Sequence, residues 1–520
     1  MSETAPTPKR LDTGTLIACC LAVAAAQLAI TIPSPINGNI TTAFGANSAQ
    51  IGWVTTAFLL PTAILELNFG VVGDMFGRKK LLVLGGAVLA AGELLNVTAQ
   101  SIEMLWAGQV IAGLGAAMLF PTTLAVLSAA TPQPKERAKV VSRWALSISA
   151  ASAAGPLWSG VIATKANWHW AFSLPVLLGV VTALLSWRLV TDSRAAEGRT
   201  LDWPGQITVA VGLTALLWGI NQGSASGWGS GLFIGAMIVA VVGLAAFVRV
   251  ELRSSAPMFN MSLLRIPSFA AAAVVALFGM LGFIGTAYVV SMRLGAVMHL
   301  SSLEAGMPFV ILQLIPLLLA PVLGRMLSQV NPRWLLVGGL LPMAAGQFWI
   351  SALPITTTSL SAFIGPVLLL GVGFICVVSS LTAAAVNAVP IHMTGMASGA
   401  TSLVREAGQA LGPALVGSIA AALAAGQLSG NLTGADAAIE KAGGALALFN
   451  SPDTSDAARQ AALDALGHGY SVGTVVAGIA SLVGAAATLI LVRGSAPQTT
   501  AAEAAEEAAV ARADGSRARS

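Results

Sequence analysis

Stretches of about 20 predominantly apolar residues recur along this chain, and charge is confined almost wholly to the short gaps between them. A helix needs roughly that length to cross the hydrocarbon core of a bilayer at 1.5 Å per residue. Fourteen segments qualify, beginning near Thr15, Ile51, Leu81, Met104, Ala138, Trp168, Gly205, Gly231, Ser268, Leu303, Trp334, Ser361, Met396 and Tyr470. In lipid, backbone groups find partners only inside a helix or a closed barrel, and apolar runs of this length specify helices. Hydrophobic residues make up 56% of the 520 and charged residues only 9%, against about 25% charged in a water-wetted domain. The expected class is an all-α membrane protein whose solvent is the lipid bilayer.

The basic residues set an orientation. With both termini cytoplasmic, the inner loops carry fourteen Lys and Arg, among them Arg78, Lys79, Lys80, Arg188, Arg249 and Arg333. The outer loops carry four: Lys165, Arg293, Lys441 and Arg459. Loops rich in Lys and Arg resist translocation, so this asymmetry supports both the count and the orientation. Basic residues dispersed in this way form no nucleic-acid patch, and a nucleic-acid partner is not expected. Trp53, Trp168, Trp203, Trp228 and Trp334 fall at segment ends, where an aromatic belt belongs. Lys9 and Arg10 before an apolar run look like a leader, yet the run is long and further spans follow, so it reads as the first transmembrane helix. Cys19, Cys20 and Cys376 lie inside apolar runs without ligand spacing; they are packing residues, and neither metal nor cofactor is expected. Arginine exceeds lysine and alanine and glycine abound, which points to a GC-rich bacterium and its inner membrane. A monomer is expected.

The chain repeats itself. Gly155-Pro156 followed by Gly160-Val161-Ile162-Ala163 returns as Gly412-Pro413 followed by Gly417-Ser418-Ile419-Ala420. Leu81 to Gly86 is echoed by Leu335 to Gly339, each after a short basic loop. Matching the fifth segment to the thirteenth makes the unit six helices, with the seventh and eighth inserted between two pseudo-symmetric bundles. The domains read as a cytoplasmic tail (1–14), a first bundle (15–190), a linker with helices seven and eight (191–266), and a second bundle (267–493). The second bundle carries a long outer loop (424–469), in which Asp456–Leu466 reads as a short surface helix, and a polar tail (494–520) is expected to be disordered.

Gly70-Val71-Val72-Gly73-Asp74-Met75-Phe76-Gly77-Arg78-Lys79-Lys80 resembles the signature between helices two and three of the major facilitator superfamily. That resemblance implies a cytoplasmic gate made by Gly70, Gly73, Asp74, Gly77, Arg78 and Lys79. Gly155, Pro156 and Gly160 resemble the helix-five motif associated with antiporters. Ser147, Ala151, Gly155 and Ser159 recur every four residues, one face that lets a neighbouring backbone approach. Trp168-His169-Trp170, Leu201-Asp202-Trp203-Pro204-Gly205 and Val404-Arg405-Glu406-Ala407-Gly408 resemble the fourteen-helix drug:proton antiporter branch. The likeness runs from about Leu28 to Val492. Two positions depart from it: Ala29 stands where the branch carries an acid in helix one, and Gln109 where proton-coupled members carry Arg in helix four. Both are cavity candidates.

Ionisable groups inside the membrane cost at least about 2.5–3.5 kcal/mol each on insertion scales, so each is a functional candidate. The sequence offers Glu66, Glu93, Arg405 and Glu406 as proton-coupling candidates, with Glu406 first because helix thirteen mirrors helix five. Arg405 and Glu406 equally suit a structural network, since adjacent residues on a helix point about 100° apart and need not touch. Glu93 equally suits a position near the outer surface, reaching the headgroups. His169, His299, His392 and His468 lie near loops and form no relay. No Gly-x-x-x-x-Gly-Lys-[Ser/Thr] is present, so energy is expected from an ion or solute gradient rather than a bound nucleotide. The expected function is secondary export of small hydrophobic or cationic compounds, drugs or secondary metabolites, in exchange for protons. An uncoupled facilitator or a lipid or metabolite exporter is the alternative, and a membrane-embedded lipid transferase a remote one. No enzymatic constellation is visible.

Overall fold

The computed structural model describes residues 12–492, except 132, 195–200, 255–256, 358, 388, 390–393, 429–431 and 433. Lys9, Arg10, His392 and the expected C-terminal tail lie outside the described residues. Helices account for the described chain: α1 (Thr13–Thr31), α2 (Pro33–Phe44), α3 (Ser48–Phe76), α4 (Arg78–Val97), α5 (Ile102–Ala130), α6 (Pro134–Lys165), α7 (Ser173–Leu189), α8 (Trp203–Ser226), α9 (Gly231–Glu251), α10 (Pro267–Ser291), α11 (Ser302–Gln329), α12 (Pro332–Ala352), α13 (Ser361–Asn387), α14 (Thr394–Leu428), α15 (Gly434–Asn450) and α16 (Asp456–Leu491). Fourteen of them are long and apolar enough to cross a membrane. The other two are α2, which continues α1 after a break at Pro33, and α15.

Packing repeats with a shift of eight spans. In the first half α1 packs on α5, α6 and α7, α3 on α5, and α4 on α5 and α7. In the second half α10 packs on α13, α14 and α16, α11 on α13, and α12 on α13 and α16. The halves meet through α3 against α14 and α6 against α11, which are symmetry mates of one another. Matching details recur at the contacts. A β-carbon on Gly52 would stand 3.0 Å from the Pro413 carbonyl oxygen, and one on Gly306 2.9 Å from that of Pro156. α3 and α11 even start alike, with reciprocal capping boxes at Asn47–Gln50 and Ser301–Glu304. The inserted pair α8–α9 lies outside this symmetry; α8 packs on α14 and α3. Its amides hold α3 at two points, Gln206 Nε2 donating to the Ile64 carbonyl at 2.6 Å and Asn221 Nδ2 to that of Ala49 at 3.3 Å.

One end of the bundle is sealed. An apolar core there draws on both halves, joining Ile36, Ile40 and Ile51 to Tyr288, Leu446 and Tyr470. Polar contacts reinforce it. Asn37 Nδ2 donates to Ser291 Oγ at 2.9 Å, Ser48 Oγ meets Tyr470 Oη at 3.0 Å, and Tyr288 Oη donates to the Ser48 carbonyl. At the opposite end α6 is exposed or half-exposed at every position from Val141 to Ala150. The halves therefore close at the end carrying α2 and α15, while toward the end carrying Asp74 and Arg78 α6 stands clear and α3 stays against α14 at Leu67 and Gly399.

Backbone touches backbone in the seal, since a β-carbon on Gly38 would stand 2.5 Å from the Gly295 carbonyl. Gly38→Val is expected to force this end apart, because neither backbone has a flexible group to give way. In a cysteine-free background, Ser291→Cys should then react with a polar thiol reagent several-fold faster than without the valine.

Three sequence expectations need correction. The loop 424–469 is largely helical, for α14 runs to Leu428, α15 fills its middle, and α16 runs unbroken from Asp456 to Leu491; the segment Asp456–Leu466 is the start of the last span rather than a separate surface helix. Arg293, placed in an outer loop, is buried in a π-turn at the end of the α10 span, donating to the carbonyls of Ile350 at 3.1 Å and Pro354 at 2.6 Å. Trp168 is buried against Phe44, whereas Trp203, Trp228 and Trp334 are exposed as a belt requires.

Candidate functional site

The α3–α14 contact brings together three of the intramembrane charged groups. Arg405 folds its guanidinium along α14 and donates to Glu406 Oε1 from Nε at 3.2 Å and from a terminal nitrogen at 2.9 Å. Adjacent residues thus do touch, because the Arg side chain is long enough to turn back across the 100° between them. Gln409 Nε2, one turn on, donates to the same oxygen at 3.2 Å. Glu66 comes from α3 and lies close enough to interact electrostatically with both Arg405 and Glu406. Thr56 Oγ1 donates to the Ala410 carbonyl at 3.2 Å and helps fix the two helices against each other.

The cluster holds two carboxyl groups and one guanidinium. With both carboxyl groups ionised the cluster carries one negative charge in excess, which a single added positive charge balances. Glu406 is buried, the Arg405 side chain is 28% exposed, and Glu66 is half-buried.

The loop between α3 and α4 forms its own lock. Arg78 donates to Asp74 Oδ1 from Nε at 2.9 Å and from a terminal nitrogen at 2.7 Å, and also to the Ala125 carbonyl at 3.3 Å. Gly77 turns with φ of +113°, a conformation a side chain strains to adopt. The Asp192 carboxylate lies against it, 2.7 Å from where a β-carbon would stand, and accepts the Lys79 amide at 3.2 Å. Asp74 and Ala125 belong to the first half, and Asp192 to the start of the linker that follows it. Gly73 packs at Leu81 and Gly70 at Pro121.

The remaining predicted residues scatter. Glu93 is fully buried rather than reaching headgroups, and its Oε2 accepts Asn96 Nδ2 at 3.1 Å. Ala29 is fully buried in a core that joins the first half to Leu217 of α8 and to Ala410 and Ala414 of α14. Gln109 is fully buried too, and neither of its amide atoms has a hydrogen-bond partner. On α6, Gly155 meets Thr31 of α1, while Gly160 meets the backbone of Ser302 and Leu303 across the halves. Sequence reasoning missed Arg293, which also lies 5.3 Å from the Phe363 ring centroid; its place beside the expected loop hid it.

Comparison with known proteins agrees with this architecture. The Major Facilitator Superfamily model matches residues 19–413. The multidrug resistance protein Stp of Mycobacterium tuberculosis is 27% identical over 381 residues, 73% of this chain and 71% of that protein. The tetracenomycin C resistance and export protein of Streptomyces glaucescens is 28% identical over 408 residues, 78% of this chain and 75% of that protein. The multidrug efflux pump LfrA of Mycolicibacterium smegmatis is 29% identical over 373 residues, covering 71% of this chain and 72% of that protein. Among solved structures, a bacterial homologue of the human lysosomal transporter Spinster, inward-facing and unoccupied, superposes with a TM-score of 0.66 at 16% identity, over 92% of this chain and 97% of that one. The POT family transporter PepTSo gives a TM-score of 0.60 at 15% identity, over 92% of this chain and 98% of that one. At these identities the two structures speak for the fold alone.

Proposed function

The chain belongs to the major facilitator superfamily and is a multi-pass membrane transport protein, and from that premise we propose that it exports small amphipathic or cationic compounds in exchange for protons. The observation that carries this reading is the charge count at the α3–α14 contact. Glu66 and Glu406 against Arg405 leave room for one positive charge. A proton and a cationic substrate compete for that vacancy, so release of one accompanies uptake of the other. Export as the direction is supported by the relatives whose names record resistance and efflux. With the Arg- and Lys-rich loops on the cytoplasmic side, the end where α6 stands clear faces the cytoplasm, the side from which cargo of an exporter is taken up. The membrane potential adds about 2.3 kcal/mol per charge per 100 mV to such an exchange.

Ala29 and Gln109 favour a second reading, an uncoupled facilitator, because neither buried position carries a charge. Accumulation of a cationic dye in an efflux-deficient host separates the two. Antiport predicts that cells expressing the chain exclude the dye and that an uncoupler of the proton gradient abolishes the exclusion. A facilitator, which moves solute only down its gradient, predicts no exclusion and a downhill dye flux indifferent to the uncoupler.

A further inference from the structure

The inserted helix pair carries a second acidic site, remote in sequence from the first. Asp202 caps α8, its Oδ1 accepting the Gly205 amide at 2.9 Å. Glu251 ends α9, its Oε2 accepting the Phe259 amide at 2.9 Å. Asp202 thus spends one oxygen on the backbone, and Glu251 has the Met258 amide beside it as well as that of Phe259. The other oxygens, Asp202 Oδ2 and Glu251 Oε1, are buried and have no hydrogen-bond partner. Both are aimed at one point. A β-carbon on Gly205 would stand 2.6 Å from Glu251 Oε1 and 3.0 Å from Asp202 Oδ2. Asp202 is 8% exposed and Glu251 3%.

Charge balance is the difficulty here. Among the described residues no basic side chain forms an ion pair with either carboxyl group. Arg194, Arg249, Arg253 and Arg265, which flank the pair in sequence, are exposed, and Arg199 lies outside the described residues. On the helices packed against α8, the charged groups Glu66, Arg405 and Glu406 engage one another. Two ionised carboxylates sharing a buried site repel strongly, and one proton between them turns repulsion into a charge-assisted hydrogen bond. We propose that Asp202 and Glu251 form a proton-binding site in which Oδ2 and Oε1 share a single proton over the α-carbon of Gly205. Only glycine leaves room for that approach. Gln206, the next residue, holds the Ile64 carbonyl two residues before Glu66, which places the site one turn of α8 from the contact with α3. The site stands whether or not the α3–α14 cluster couples transport to protons.

Infrared spectroscopy of the purified full chain in lipid nanodiscs tests this. At neutral pH the wild type should show a protonated-carboxyl C=O stretch that shifts in heavy water and is missing from the spectrum of Glu251→Gln. The same loss is not expected in Glu406→Gln. If Glu251→Gln does not fold, Asp202→Asn is read in its place, with a shifted or lost band expected. An identical protonated-carboxyl absorption in wild type and variant overturns the proposal. So does a wild type without that absorption whose melting temperature climbs with sodium chloride, which would make the site one for Na⁺.

Discussion

Glu406→Gln is expected to lower substrate efflux at least about tenfold, a loss of roughly 1.4 kcal/mol or more of driving interaction, while the protein still reaches the membrane and melts near the wild-type temperature. Glutamine keeps the size of the side chain and an oxygen for Arg405 and Gln409 to address. It removes the charge. The cluster then holds one carboxyl group against one guanidinium, already balanced, and neither a proton nor a cationic substrate gains by entering. Efflux from loaded proteoliposomes measures the effect. Full activity in this variant would remove the cluster from the mechanism, and the same assay on Glu66→Gln and Glu93→Gln would then locate the carboxyl group that serves instead.

Arg405→Ala should cost stability instead. Removing one partner of a buried ion pair leaves an uncompensated charge, typically about 3–5 kcal/mol. The partial exposure of Arg405 sets the expectation at the lower end, about 3 kcal/mol, because water screens part of the interaction. Glu406 would then face Glu66 without the guanidinium between them. Thermal melting in detergent reads the change, and Arg405→Ala with Glu406→Ala should recover most of it, since the stranded charge goes too. A single variant as stable as wild type would show that the pair lies in water rather than in the protein.

Much of this was legible because lipid imposes simple rules. Helix length is set by membrane thickness and loop charge by translocation, so fourteen spans and their order followed from Leu, Ala and Val runs alone. The symmetry was legible where a small residue leaves room for a close neighbour, as Gly155 does for the Thr31 side chain and Gly412 for the Gly285 backbone. What hid was burial of polar groups by tertiary contact. Arg293 reads as a loop residue because it follows an apolar run, yet the carbonyls of Ile350 and Pro354 capture it. The break between α1 and α2 falls at Pro33, where the fixed φ of proline suits the first turn of a new helix. The Glu66–Arg405–Glu406 cluster was half visible: its members were named one by one, but their meeting depends on the register of α3 against α14.

The exchange itself is best tested by counting protons. Proteoliposomes reconstituted with the purified chain and containing a pH-sensitive dye are given a cationic substrate with no imposed gradient. Coupled exchange predicts a substrate-dependent pH change in the lumen, proportional to substrate moved and absent in Glu406→Gln. Substrate movement without any change in lumenal pH would contradict it.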